Sequence, residues 1–162
     1  MAELAAREAA YEPPSETVQE INAAYRSVRF VPRLREIASL ARLVFDSFSQ
    51  PSLAGIRAAA QASRQLIHES EPFTIDLRLE ADAARKRIYL AGQIMNSRNP
   101  DEIAGGIDVV LLKGSDQISK TETLPSGEFE LSFDVGNADD LELFLNIRGQ
   151  RAIAIKLPEL ET

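Results

Sequence analysis

The 162-residue chain predicts a mainly β fold, a seven-stranded β-sandwich preceded by a short helical or partly extended N-terminal segment. Three observations lead there. From Phe73 to Leu157 apolar and polar residues alternate in seven short runs, the period of a strand with one buried face. Turn residues, mostly Gly, Pro, Asn and Asp, punctuate the runs, and seven strands suit a sandwich. Residues 15–48 instead repeat apolar side chains at steps of three and four, the period of an amphipathic helix.

In chain order, Met1 to Pro14 is rich in Ala and Glu and stops at Pro13-Pro14, which predicts a frayed start. Ser15 with Glu16 reads as a helix start, Val18, Ile21, Tyr25 and Val28 share one face, and Pro32 interrupts the helix. Leu34, Ile37, Ala41, Val44 and Phe48 continue the spacing and predict a second helix, although residues 42–48 are also β-prone. Residues 49–63 are small and polar, with Pro51 and Gly55, and read as a linker. Arg57 and Arg64 are its candidate cleavage sites for trypsin-like or Arg-directed proteases. The expected organisation is a partner-binding segment over 1–48, a linker over 49–63 and a sandwich over 64–162.

Within the sandwich, Arg64 to Glu69 reads as an extra edge strand. Phe73, Ile75, Leu77 and Leu79 then face inward against Thr74, Asp76, Arg78 and Glu80. Ile88, Leu90, Gly92 and Ile94 do the same against Tyr89, Ala91, Gln93 and Met95. After a polar loop over 96–106, Ile107, Val109 and Leu111 resume the alternation up to a turn at Gly114-Ser115-Asp116. A weaker polar strand over 117–124 enters Pro125-Ser126-Gly127-Glu128, which reads as a hairpin turn with Gly127 free to take positive φ and Phe129 dropping into the core. Leu131 and Phe133 follow inward, with Glu128, Glu130 and Ser132 outward. Leu141, Leu143, Leu145 and Ile147, then Ile153, Ile155 and Leu157, form the last two strands around Gly149-Gln150.

The net charge of −7 argues against general nucleic-acid binding, which needs a basic footprint. Residues 1–71 carry eight Arg and no Lys against nine acids, whereas 72–162 carry ten basic residues against sixteen acids, so the sandwich holds most of the negative charge. The lack of cysteine removes disulfides, thiolate metal sites and cysteine nucleophiles. No run approaches about 20 apolar residues and the first residues lack a signal-peptide pattern, so a cytoplasmic location without membrane contact is expected.

Catalytic patterns are missing. His68, the only histidine, has no ligand set around it and reads as a strand residue with ordinary hydrogen bonding. Ser126 is not in a nucleophile elbow, and Gly105-Gly106 lacks the Lys and Ser/Thr of a phosphate loop. Asp134, Asp139 and Asp140 read as turn caps rather than a calcium loop. No catalysis, cofactor or metal is expected. The remaining candidate is protein binding by Val18, Ile21, Tyr25, Arg26, Val28, Arg29, Arg33, Arg35, Arg42, Phe45 and Phe48, because arginine interleaved with aromatic and aliphatic side chains is the composition of interface anchors.

The Gly92-Gln93-Ile94 strand, the loop ending Ala104-Gly105-Gly106, the apolar strand, the Thr-containing strand and Gly127-Glu128-Phe129-Glu130-Leu131 occur in an order that resembles the carboxypeptidase regulatory-like family, small transthyretin-like and immunoglobulin-like sandwiches. The resemblance covers Phe73 to Pro158. It implies a non-catalytic module attached to enzymes, transporters or regulators, with no site residues to carry over. Residues 41–48 (ARLVFDSF), 54–57 (AGIR) and 64–67 (RQLI) together resemble bacterial proteins associated with alternative sigma factors. Those proteins often carry a zinc-binding helical anti-sigma domain, whose Cys and His ligands this chain does not have. The implied role is a cytoplasmic, anti-sigma-like adaptor for a protein partner, a sigma factor or a protease. Alternatives are a protease substrate cut in the linker, and an accessory module for carbohydrate or peptide.

Overall fold

Alternation and turn chemistry produce ten strands in two sheets among the described residues. The computed structural model describes residues 35–49, 63–100, 105–147 and 151–160. Its strands are β1 (Ala38–Leu40), β2 (Arg42–Asp46), β3 (Ser63–Ser70), β4 (Phe73–Asp82), β5 (Arg87–Asn96), β6 (Asp108–Lys113), β7 (Asp116–Glu122), β8 (Glu128–Asp134), β9 (Leu141–Ile147) and β10 (Arg151–Lys156). The first sheet has the order β1-β10-β9-β6-β7 and the second β2-β3-β4-β5-β8. All ten belong to one compact unit that starts at Leu34.

The inward residues of both sheets meet in a single apolar core. Leu66, Ile75, Leu77, Leu90, Phe129 and Leu131 enter it from the second sheet, and Val109, Leu111, Leu143, Leu145, Ile153 and Ile155 from the first. The β4–β5 ladder runs unbroken from Phe73 opposite Asn96 to Asp82 opposite Arg87, and the period-two pattern keeps one face of β4 inward from Phe73 to Leu79. β5 then pairs with β8, which puts Gly92 opposite Phe129. A Cβ at Gly92 would overlap the Phe129 ring, so the missing side chain is the space the phenyl ring fills. Gly127 takes φ 82° and is buried, and Phe129 is buried, as the turn sequence requires.

Four sequence-based expectations need correction. The second helix over 34–48 is not formed beyond residues 35–37; the chain continues as β1, parallel to β10, and β2, antiparallel to β3. Of the described residues of the presumed helical stripe only Ala41 is buried, while Ile37, Val44 and Phe48 are exposed, because ladder hydrogen bonds to both sheets outweigh a local period carried by a β-prone sequence. β1 and β2 therefore belong to the two-sheet unit, and a division at residue 48 would cut β2 from its neighbour β3. That neighbour is not an edge strand, since it lies between β2 and β4. Finally, residues 125–128 do not close a hairpin: β7 lies in the first sheet and β8 in the second, so the turn carries the chain between sheets. Turn residues specify a reversal, but not which edge receives the next strand.

The first helix and residues 50–62 of the expected linker lie outside the described residues. β6 shows a further departure from simple alternation. Val110 and Leu112 are as fully buried as Val109 and Leu111, and Val110 stands in register with the buried Phe144.

Candidate functional site

The described part of the expected binding segment forms an edge strap on the unit. β1 ends the first sheet, Ala41 crosses over with its N–H donating to Ala154 O at 2.8 Å, and β2 ends the second sheet. Register shifts between Leu43 and Phe45, a β-bulge, and β1 is only three residues long. Short and bulged edges pair poorly with further strands, so the strap presents side chains rather than a free ladder. Those side chains are apolar and open: Leu40 is 73% exposed, Ile37 57% and Phe48 50%, with Leu43 and Val44 also exposed. Exposed large apolar side chains on a chain with 27% charged residues make the strap a candidate contact surface.

Among the described residues, the two arginines expected to project toward a partner, Arg35 and Arg42, make ion pairs within the unit. Arg35 donates to Gly114 O at 2.6 Å and to Glu142 Oε2 at 2.7 Å, bridging the β6–β7 turn and β9. Arg42 donates to Glu69 Oε2 at 2.8 Å on the neighbouring strand. Arg64, expected as a cleavage site, grips Asp46 through Nε at 3.0 Å and Nη2 at 2.7 Å, donates through Nη1 to Glu159 O, and lies 4.9 Å from the Phe48 ring centre. With 14% of its side chain exposed, Arg64 is a poor protease target. Phe45 is half-buried in register with Ile67. Val18, Ile21, Tyr25, Arg26, Val28, Arg29, Arg33 and Arg57 lie outside the described residues.

Asp46 organises the end of the strap. Its carboxylate also accepts the Phe48 N–H at 3.0 Å and the Ser49 hydroxyl at 3.3 Å, closing the turn after β2. The Arg64 hydrogen bonds hold this carboxyl below the usual carboxylate range against the opposing effect of burial. Two rungs away on β3, His68 is 2% exposed, and its Nδ1 has no hydrogen-bond partner, contrary to the ordinary hydrogen bonding expected of it. Burial pushes the imidazole below its ordinary value, and the Asp46 charge opposes this more weakly.

A second feature escaped sequence reasoning. The outer face of the second sheet bears a groove of about 760 Å³ lined by Gln65, Asp76, Arg78, Ala91, Gln93, Glu128 and Glu130, with Thr121, Glu122 and Leu124 at its rim. Gln65 donates to both Asp76 oxygens at 2.9 Å, Arg78 to the Ser63 hydroxyl at 2.9 Å, and Ser126 to Glu128 at 2.8 Å. Alternation already places most of these residues outward. It does not bring β8 beside β5, across two intervening strands, which is what assembles the groove. Beside Ala91, Leu124 and the Phe129 ring, its polar side chains are amides, carboxylates, one hydroxyl and one guanidinium, able to hold a polar ligand by hydrogen bonds. Among the described residues, no helix is long and apolar enough to cross a membrane. No protein-family model, curated protein or solved structure matches the chain.

Proposed function

We propose that this chain is a non-catalytic, cytoplasmic regulatory adaptor of the anti-sigma-like kind, a transthyretin-like sandwich that docks a protein partner on its N-terminal side. The observation that carries the reading is the exposed apolar row Ile37, Leu40, Leu43, Val44 and Phe48 on the edge strap. Burying such side chains against a partner yields about 25 cal/mol per Å² of apolar surface, and several large ones together supply a useful share of a moderate affinity. The internally paired arginines act as rigid supports: Arg64 beneath Phe48 fixes a ring that would otherwise lose rotamer freedom on binding. A photo-crosslinker placed at Leu40 and, separately, at Tyr89 in the native host tests the reading. A protein captured at Leu40 but not at Tyr89 supports it, and its identity distinguishes a sigma factor from a protease. Capture at neither position, with the protein expressed and folded, rejects it.

The groove on the second sheet favours a different reading, an accessory module for peptide or carbohydrate. Gln65, Gln93, Asp76 and Glu130 offer donors and acceptors on one open face. Glycan and peptide arrays with the intact chain and with Gln93→Ala separate it from the adaptor reading, because the strap is untouched by that substitution.

A further inference from the structure

We infer that the β1–β2 strap is released by acid: when the His68 imidazole takes a proton, β2 lets go of β3, and the pair of strands peels from the sheet edges. This rests on the fold alone and not on the identity of a partner. His68 points into the core from β3, in register with Ile75 of β4 and Leu43 of β2. A protonated imidazole carries two N–H donors, and in this site the Nδ1 donor meets no acceptor. An unpaired charged donor in an apolar setting is costly, so protonation and burial compete.

The surrounding charges relieve it only in part, through the weaker opposing effect of Asp46. From β2, Asp46 is committed to Arg64, to the Phe48 amide and to the Ser49 hydroxyl, and Arg42 is bound to Glu69. On β1 the nearest polar group is Ser39, whose hydroxyl lies 3.4 Å from that of Ser70. From β10, Arg151 donates to Ser70 O and adds positive charge to that flank. On β4, Asp76 holds Gln65 at the outer face. Among the described residues no acceptor meets Nδ1 for the new N–H.

Why β2 yields follows from the ladders. β4 grips β3 over an unbroken register from Ser63 opposite Glu80 to Ser70 opposite Phe73. β2 contributes five residues, and its register shift begins at Leu43, the residue opposite His68. The easiest route from Nδ1 to water therefore passes the bulge, through an element of low local stability. The direction with pH is set by burial. The closed state binds protons less readily than the peeled one, so closure is complete above the ordinary histidine value of about 6.5 and is lost as pH falls below it. The Asp46 carboxyl, held below its ordinary range, contributes a separate loss only in stronger acid.

Hydrogen exchange of the full chain, corrected for intrinsic rates, tests the inference. From about pH 7.5 to about pH 5.5, protection of the 42–46 amides should fall about fivefold or more while that of 88–94 holds. His68→Leu should abolish the fall. Because the chain has one histidine, the imidazole C–H resonance is unique and reports directly on the wild-type protein even if the variant does not fold. Its midpoint should lie below about 6.5. A midpoint at or above that value, pH-independent protection of β2, an equal loss in β5, or a fall that persists in His68→Leu overturns the inference.

Discussion

Strands β5 and β2 belong to the same sheet and are built on opposite terms. β5 pairs along its whole length with β4 and over seven rungs with β8, and its alternation sends Ile88, Leu90 and Ile94 fully inward. β2 has one neighbour among the described residues, a bulge in five residues, a buried aspartate where a core side chain would be expected, and open leucine and valine side chains. Regular pairing with apolar burial makes a strand rigid and silent. An edge strand anchored by an ion pair stays ordered while leaving apolar surface free, and its stability depends on protonation. The polar anchor gives little net stability compared with apolar packing, since desolvation offsets much of the Coulombic gain, but it is expensive to break on one side only.

That contrast can be broken from the β5 side first. Phe129→Ala removes a buried ring that fills the space over Gly92, and unfolding in denaturant should show a loss of about 3–5 kcal/mol for the whole two-sheet unit. A loss below about 1 kcal/mol would place Phe129 outside the core. On the strap, Asp46→Ala leaves Arg64 without its carboxylate at a site where both side chains are largely buried. The expected loss is about 2–3 kcal/mol, with hydrogen exchange rising over residues 42–49 before the rest. Uniform exchange across all strands would mean the strap and ladder unfold as one.

Gly92→Ala forces the Phe129 ring aside and should cost about 1–2 kcal/mol. Combining it with Phe129→Leu should recover part of that cost, whereas strict additivity in the double-mutant cycle would show the ring does not respond to position 92. The smallest expected effect is Leu40→Asp, within about 0.5 kcal/mol of the parent in thermal unfolding because the side chain is open to solvent. Its consequence should appear instead as lost partner capture. A cooperative unfolding shift comparable to Asp46→Ala would reveal Leu40 as a packing residue.

By itself the sequence determined the mainly β class, the inward faces of β4, β5, β8, β9 and β10, and the positive φ of Gly127. Each is local: strand period two and glycine stereochemistry act within a few residues and need no knowledge of neighbours. Only the tertiary structure decided which edges meet. It turned residues 38–46 from an apparent helical stripe into a strap shared by two sheets, and placed β7 and β8 in different sheets. It also joined β5 to β8 to make the groove, closed Arg64 onto Asp46, and left His68 Nδ1 without a partner. These are non-local pairings, in which ladder bonds and burial between segments far apart in sequence outweigh weak local preferences, so a helical spacing of leucine, valine and phenylalanine could end as an edge strand.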